Sequence, residues 1–338
     1  IINITVEEKP TGEISAGAGV GTSGGSVMFG VKENNFLGRG VAFGTNITLD
    51  SESLKGVISL NNPNYKGTNR SLNLSAQNIS TDRLTDYGYK SNKTGITVGS
   101  GFEYYDDLYL NRGLSISTEK LITSSKASAN IKSQEGTYFD TFFNYTLDYD
   151  KRNQKYQTTD GYRSRFSQKI PLINKSNTLT NTYDYKTYSE WFSENITSLG
   201  FYAEATNSLN GKNVKLSDRI FLSPSKLRGF ESGKVGPKDG TDFIGGNYIM
   251  AVNLATTLPQ VLPTLQNIDF SLFIDAANIW GIDYSSTLSD NSKIRSSVGL
   301  AVDFFTPIGP LNFSFSEVIA KTKTDRTETF RFNLGTTF

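Results

Sequence analysis

The 338-residue sequence predicts an all-β fold, a sixteen-stranded antiparallel transmembrane β-barrel, on three observations. Apolar residues recur at alternate positions through most of the chain, the period of strands with one polar face. No apolar run approaches the ~18 to 20 residues of a membrane helix, whereas a tilted strand needs only ~9 to 11. Turn residues punctuate the runs, and their number is even, as in closed bacterial barrels.

In chain order the strands are expected at 13–21, 24–34, 37–51, 54–62, 69–80, 93–106, 108–122, 137–151, 161–173, 178–192, 197–209, 247–259, 267–280, 295–307, 310–320 and 328–338. Gly24-Gly25 turns the first into the second, and Asn61-Asn62-Pro63 closes the fourth. In the eighth, Phe139, Phe143, Tyr145, Leu147 and Tyr149 oppose Asp140, Asn144, Asp148 and Asp150, before Thr159-Asp160-Gly161 leads into the ninth. The eleventh and twelfth flank the longest interruption, a Gly-rich polar stretch from about Ser208 to Gly246. The thirteenth sets Ile268, Phe270, Leu272, Ile274 and Ala276 against Asp269, Ser271, Phe273 and Asp275. The fourteenth sets Val298, Leu300, Val302 and Phe304 against Ser297, Gly299, Ala301 and Asp303, and Ile308-Gly309-Pro310 ends it. Leu311, Phe313 and Phe315 alternate with Asn312, Ser314 and Ser316 in the fifteenth. The last has Phe330, Phe332, Leu334 and Phe338 on one face and Arg331, Asn333, Gly335 and Thr337 on the other. No segment keeps a helical period over three turns.

A large soluble sandwich or propeller is the alternative. Two features argue against it. The second face of these long strands is uniformly Asn, Ser, Thr, Asp and Gly, which a water-filled lumen requires and a soluble sheet rarely shows. The aromatic residues also gather near strand ends, at Tyr104-Tyr105, Tyr183-Tyr185-Tyr188, Trp191-Phe192 and Trp280, as interfacial girdles do.

Composition narrows the chemistry. The chain has no cysteine and no histidine, which removes thiol nucleophiles, disulfides, Cys/His zinc sites and imidazole catalysis. An enzyme, a metal and a cofactor are therefore not expected. A net charge of +1 provides no broad basic field for nucleic acid. The sequence begins without a basic n-region or apolar h-region, so any export signal is expected to lie outside it.

Several motifs remain. They are "NNFLGRG" (34–40), "KLRGF" (226–230), "IGGN" (244–247) before a strand reaching Pro259, "FIDAANIW" (273–280), "SSVGLAVDFFTPIGPLNFSF" (296–315) and "FRFNLGTTF" (330–338). In their order and spacing they resemble the barrel domain of the Omp85 superfamily, with Ala277 where the family usually has glycine. "ITVEEKPTGEISAGAGV" (4–20) resembles the last strand of a POTRA domain running into the first barrel strand, so residues 1–12 are expected to end that domain and 13–338 to form the barrel of a longer protein. "TTDG" (158–161) resembles a turn of the family on its periplasmic side.

The resemblance implies that the long stretch is an inward-folding extracellular sixth loop with Leu227, Arg228, Gly229 and Phe230 at its tip. A guanidinium inside a barrel needs carboxylate partners. The resemblance gives Asp275 as one; Ala255 stands where some relatives carry an inward glutamate, and Asp303 is expected to be the second acceptor. Gly229 would let the loop approach the wall, and Phe230 would pack beside it.

Gly17, Gly19 and Gly21 share one face of the first strand, with Ala16 and Ala18 on the other. Such a strand packs little surface, and Gly335 permits a bend in the last strand beside it. Glycine where neighbours crowd is the plain reading. The resemblance favours a lateral gate between first and last strands, with Phe338 at its end.

The function so implied is folding and insertion of outer-membrane β-barrel proteins. The partners are unfolded barrel substrates, accessory outer-membrane lipoproteins, periplasmic chaperones and the lipid bilayer of a Gram-negative outer membrane. An Omp85-type secretion pore or a TamA-like translocation and assembly relative is the alternative within the superfamily. A passive porin has no need of an LRGF tip or a glycine-rich seam, and the familiar hydrolase sites need histidine.

Overall fold

A computed structural model describes residues 9–175, 177–192, 194–258, 267–284, 288, 292–306 and 309–335. Sixteen antiparallel strands close into one barrel. They are β1 (Gly12–Gly21), β2 (Gly24–Phe36), β3 (Val41–Asp50), β4 (Ser53–Asn62), β5 (Ser71–Arg83), β6 (Tyr89–Tyr105), β7 (Leu108–Thr123) and β8 (Gly136–Asp150), then β9 (Gly161–Asn174), β10 (Thr178–Phe192), β11 (Asn195–Ser208), β12 (Tyr248–Thr257), β13 (Ile268–Trp280), β14 (Arg295–Thr306), β15 (Gly309–Ala320) and β16 (Phe330–Gly335). Each pairs with its chain neighbours, and β1 pairs with β16. The expected strand count and order hold.

Alternation becomes two faces. Cross-strand pairs such as Phe29 opposite Ile47, Leu74 opposite Val98 and Ile96 opposite Ile116 are exposed on the outer wall and make an apolar band. Tyr104, Tyr105, Trp191 and Phe192 are exposed where β6 and β10 end at one rim, and Tyr248 packs against Trp280 at the other. Tyr183 and Tyr185 differ from expectation: they lie in mid-strand, where Tyr183 packs on Phe201.

The strand expected from 37 begins at Val41, because Leu37, Gly38 and Gly40 take left-handed φ of 56°, 68° and 63° and make a turn. The last strand, expected over 328–338, starts at Phe330; its final three residues, Phe338 among them, lie outside the described residues, as do 1–8 of the expected POTRA end.

The packed core lies inside the barrel. The connection from Leu209 to Asn247 folds in and buries Val214, Leu216, Ile220, Leu222, Leu227, Phe230, Val235, Phe243 and Ile244. One cluster joins Leu216, Phe243 and Ile244 to Tyr87, Tyr89, Leu121 and Ile131. Another joins Leu227 and Phe230 to Ile249, Ala251, Ala277 and Ile279 on β12 and β13. These two clusters are apolar patches on the inner wall where the loop rests.

Candidate functional site: the loop anchor and the barrel seam

The anchor is built on β13. Alternation turns Phe273, Asp275, Ala277 and Ile279 inward, each at most 3% exposed. Arg228 meets Asp275 in a fork: Nε donates to Oδ2 and Nη2 to Oδ1, both at 2.7 Å, and the Arg228 backbone N–H adds a third bond at 3.0 Å. The guanidinium also lies 3.5 Å from the Phe273 ring centre. Two planar groups matched at two points fix direction as well as distance. Breaking one partner of so buried a pair costs about 3–5 kcal/mol.

Neighbouring strands complete it. Ser297 on β14 donates to the Arg228 carbonyl at 2.6 Å. Asn253 on β12 donates both to Asp275 Oδ1 at 2.8 Å and to the Lys226 carbonyl at 2.9 Å. Gly229 has φ +86°, and a Cβ there would meet Ser316, Ser297 and Val318 side chains at 3.1 to 3.3 Å. Glycine is needed for its conformation and for the close approach. Lys226 reaches Asp184 on β10 at 2.6 Å.

Asp303 corrects the expectation. It faces the lumen, but register sets it opposite Asp269, while Ser297 stands opposite Asp275. Six residues along a strand is about 20 Å. Asp303 instead accepts a hydrogen bond from Asn312, and among the described residues Asp275 is the carboxylate that holds Arg228. The β12 residue opposite Asp275 is Asn253; Ala255 is opposite Phe273.

A second anchor was not foreseen. Lys215, on the arm leading to the tip, is buried among Glu119 of β7 at 2.7 Å, Asp140 of β8 at 3.1 Å and Asp218 at 3.4 Å. Arg219 pairs with Asp283 beyond β13. These partners are far apart in sequence and share no motif.

The seam is different. Every residue of β1 pairs with β2, and among the described residues it meets β16 with Gly19 opposite Gly335, Val20 opposite Leu334 and Gly21 opposite Asn333. Gly19 and Gly335 bring no side chains to their pair, and cross-strand side-chain contact is what stabilises a sheet. A Cβ on Gly21 would lie 2.6 Å from the Phe332 carbonyl oxygen. Gly17 is buried on the same inner face. Behind the upper end of the seam lies a polar cavity of about 750 Å³ lined by residues including Thr22, Ser23, Arg83, Lys234 and Arg331. A closed antiparallel barrel with a loop clamped to its inner wall and a seam where glycine meets glycine is the class of protein that the fold and site define.

The family domain of the Omp85 superfamily matches residues 35–338, and the chain belongs to that superfamily. It is 25% identical over 360 residues to the outer membrane protein assembly factor BamA of Neorickettsia risticii, covering 100% of this chain and 46% of that protein. With BamA of Neisseria meningitidis it shares 24% over 396 residues, 100% of this chain and 48% of that one. The chain thus spans about half the length of the curated relatives it matches. The crystal structure of BamA from Haemophilus ducreyi lacking POTRA domains 1–3 superposes with a TM-score of 0.89 at 25% identity, covering 98% of this chain and 71% of that one.

Proposed function

We propose that this chain is the barrel of an outer-membrane assembly factor that folds and inserts β-barrel proteins through the seam between β1 and β16. The supporting observation is the seam itself: a glycine-rich first strand, with no side chains where Gly19 faces Gly335. An edge that opens there templates the strand of an incoming chain through backbone hydrogen bonds, which select strands in general. No covalent bond is made or broken.

Leu227, Arg228, Gly229 and Phe230, held by Asp275, fix the sixth loop on the extracellular side, while Gly17, Gly19, Gly21 and Gly335 form the gate. Residues 1–12 end a POTRA domain. The substrates are unfolded outer-membrane barrels, delivered by periplasmic chaperones to a complex with accessory lipoproteins in a Gram-negative outer membrane.

Val20 and Leu334 lie opposite each other, and the chain has no native cysteine. In the full-length protein reconstituted with its lipoproteins in liposomes, a Val20→Cys, Leu334→Cys pair is expected to stop folding of an added barrel substrate when oxidised and to restore it on reduction. Undiminished folding through a fully crosslinked seam overturns the reading.

A further inference from the structure

The loop tip is fastened to more than the wall. Phe230 and Thr327 form an antiparallel bridge. The Glu231 N–H donates to the Arg326 carbonyl at 3.1 Å, the Arg326 N–H to the Lys234 carbonyl at 3.0 Å and the Glu328 N–H to the Gly229 carbonyl at 2.9 Å. A short ladder therefore joins 229–236 to 325–328, the segment that leads into β16.

Asp325 is its hub. One carboxylate oxygen accepts the Gly236 N–H at 3.0 Å and Arg295 Nη2 at 3.3 Å; the other accepts the Thr322 N–H at 2.6 Å and Arg295 Nε at 3.1 Å. Both side chains of the Arg295–Asp325 pair are at most 1% exposed. One carboxylate thus ties together the inner loop, the start of β14 and the approach to β16. Around it, Asp86 pairs with Lys234 at 2.9 Å and Arg326 at 3.2 Å. Beyond it, Arg331 on β16 bonds Glu328 at 2.6 Å and the Ser23 hydroxyl, in the β1–β2 turn, at 2.7 Å. The contacts run without a break from the Arg228 clamp to the top of the seam.

We propose that Asp325 is a positioning residue for the seam: through it the inner loop holds the start of β16 in place, so that loosening the 229–236/325–328 ladder loosens the pairing of β16 with β1. Where Gly19 faces Gly335 the seam has no side-chain contact of its own to resist such a shift. Position is supplied from inside the barrel. This concerns the seam's own stability and holds whether or not substrate strands pass through it.

Hydrogen exchange of the full chain in lipid nanodiscs tests it. Asp325→Asn keeps the shape and removes the charge. It is expected to speed exchange at 19–22 and 331–334 about tenfold, as local opening free energy falls, with β12 and β13 unchanged. In that background a Glu231→Cys, Arg326→Cys disulfide is expected to restore seam protection when oxidised and to lose it when reduced. A general loss of packing would not respond to that staple. Unaltered seam exchange, or a rise equal in β12–β13 and the seam, overturns the proposal. Should Asp325→Asn fail to form a barrel, Arg326→Ala removes only partly exposed ion pairs and is expected to give the same pattern at about threefold; an unaltered seam there overturns it equally.

Discussion

The wall formed by β12, β13 and β14 and the seam between β16 and β1 belong to one closed sheet, yet they are built on opposite terms. At the wall each strand contributes a group to the clamp: Asp275 and Ser297 bond Arg228 and its backbone, Asn253 bonds Asp275 and the Lys226 carbonyl, and apolar side chains of β12 and β13 pack the loop. At the seam, glycine faces glycine where Gly19 meets Gly335. Backbone hydrogen bonds alone close a barrel. Side chains decide which joint resists opening, and at the wall they form both the loop clamp and its apolar bed.

The contrast breaks most sharply at Asp275. Asp275→Asn leaves the guanidinium facing a neutral group in a desolvated site, and anchoring is expected to weaken by about 3–5 kcal/mol. Limited proteolysis within 209–247 reads this as faster cleavage of the loop, while the sixteen strands still run as a folded barrel on an unheated gel. Gly21→Ala strikes the other side. Its methyl meets a backbone carbonyl that cannot move without parting the strands, so a loss of about 1–3 kcal/mol is expected, seen as a lower unfolding temperature with loop cleavage unaltered.

Acid sharpens the comparison less strongly. Burial pushes the Asp325 carboxyl up, but the Arg295 hydrogen bond, the Thr322 and Gly236 N–H groups and the Arg295 charge prevail and hold it below the usual range. A carboxyl lowered on folding stabilises above its unfolded pKa, ~3.9, and loses that contribution as pH falls through the lower folded value. Its contribution to the unfolding temperature should therefore be flat from neutral pH down to about 5 and fall below about 4; Asp325→Asn should lack that component of the fall. The smallest effect belongs to Asp303→Asn. With Arg228 held elsewhere, stability should change by less than about 0.5 kcal/mol and loop cleavage not at all, which thermal melts and the same proteolysis check.

How far this was legible depends on the kind of residue. Asp275 was legible because alternation on β13 turned it inward and the family resemblance implied its pairing with Arg228. Asp303 shares that inward parity, yet parity does not give register, and register separates it from Asp275 by the length of six residues. Asn253 was missed by the same error, two residues from Ala255. Lys215, with partners on β7 and β8, and Asp325, in a connection without periodicity, left no local sign: their meaning arises only when distant segments meet inside the barrel.

The sequence by itself determined the strands, their inner and outer faces, the even closure and the glycine-bearing face of the first strand, because period-two patterning and turn chemistry act over a few residues. Only the tertiary structure decided register, the second acceptor beside Arg228, the buried Lys215 cluster and the tie from loop tip to β16. Those depend on which residues, tens to hundreds of positions apart, a closing cylinder brings within hydrogen-bond reach, and no local preference encodes that distance.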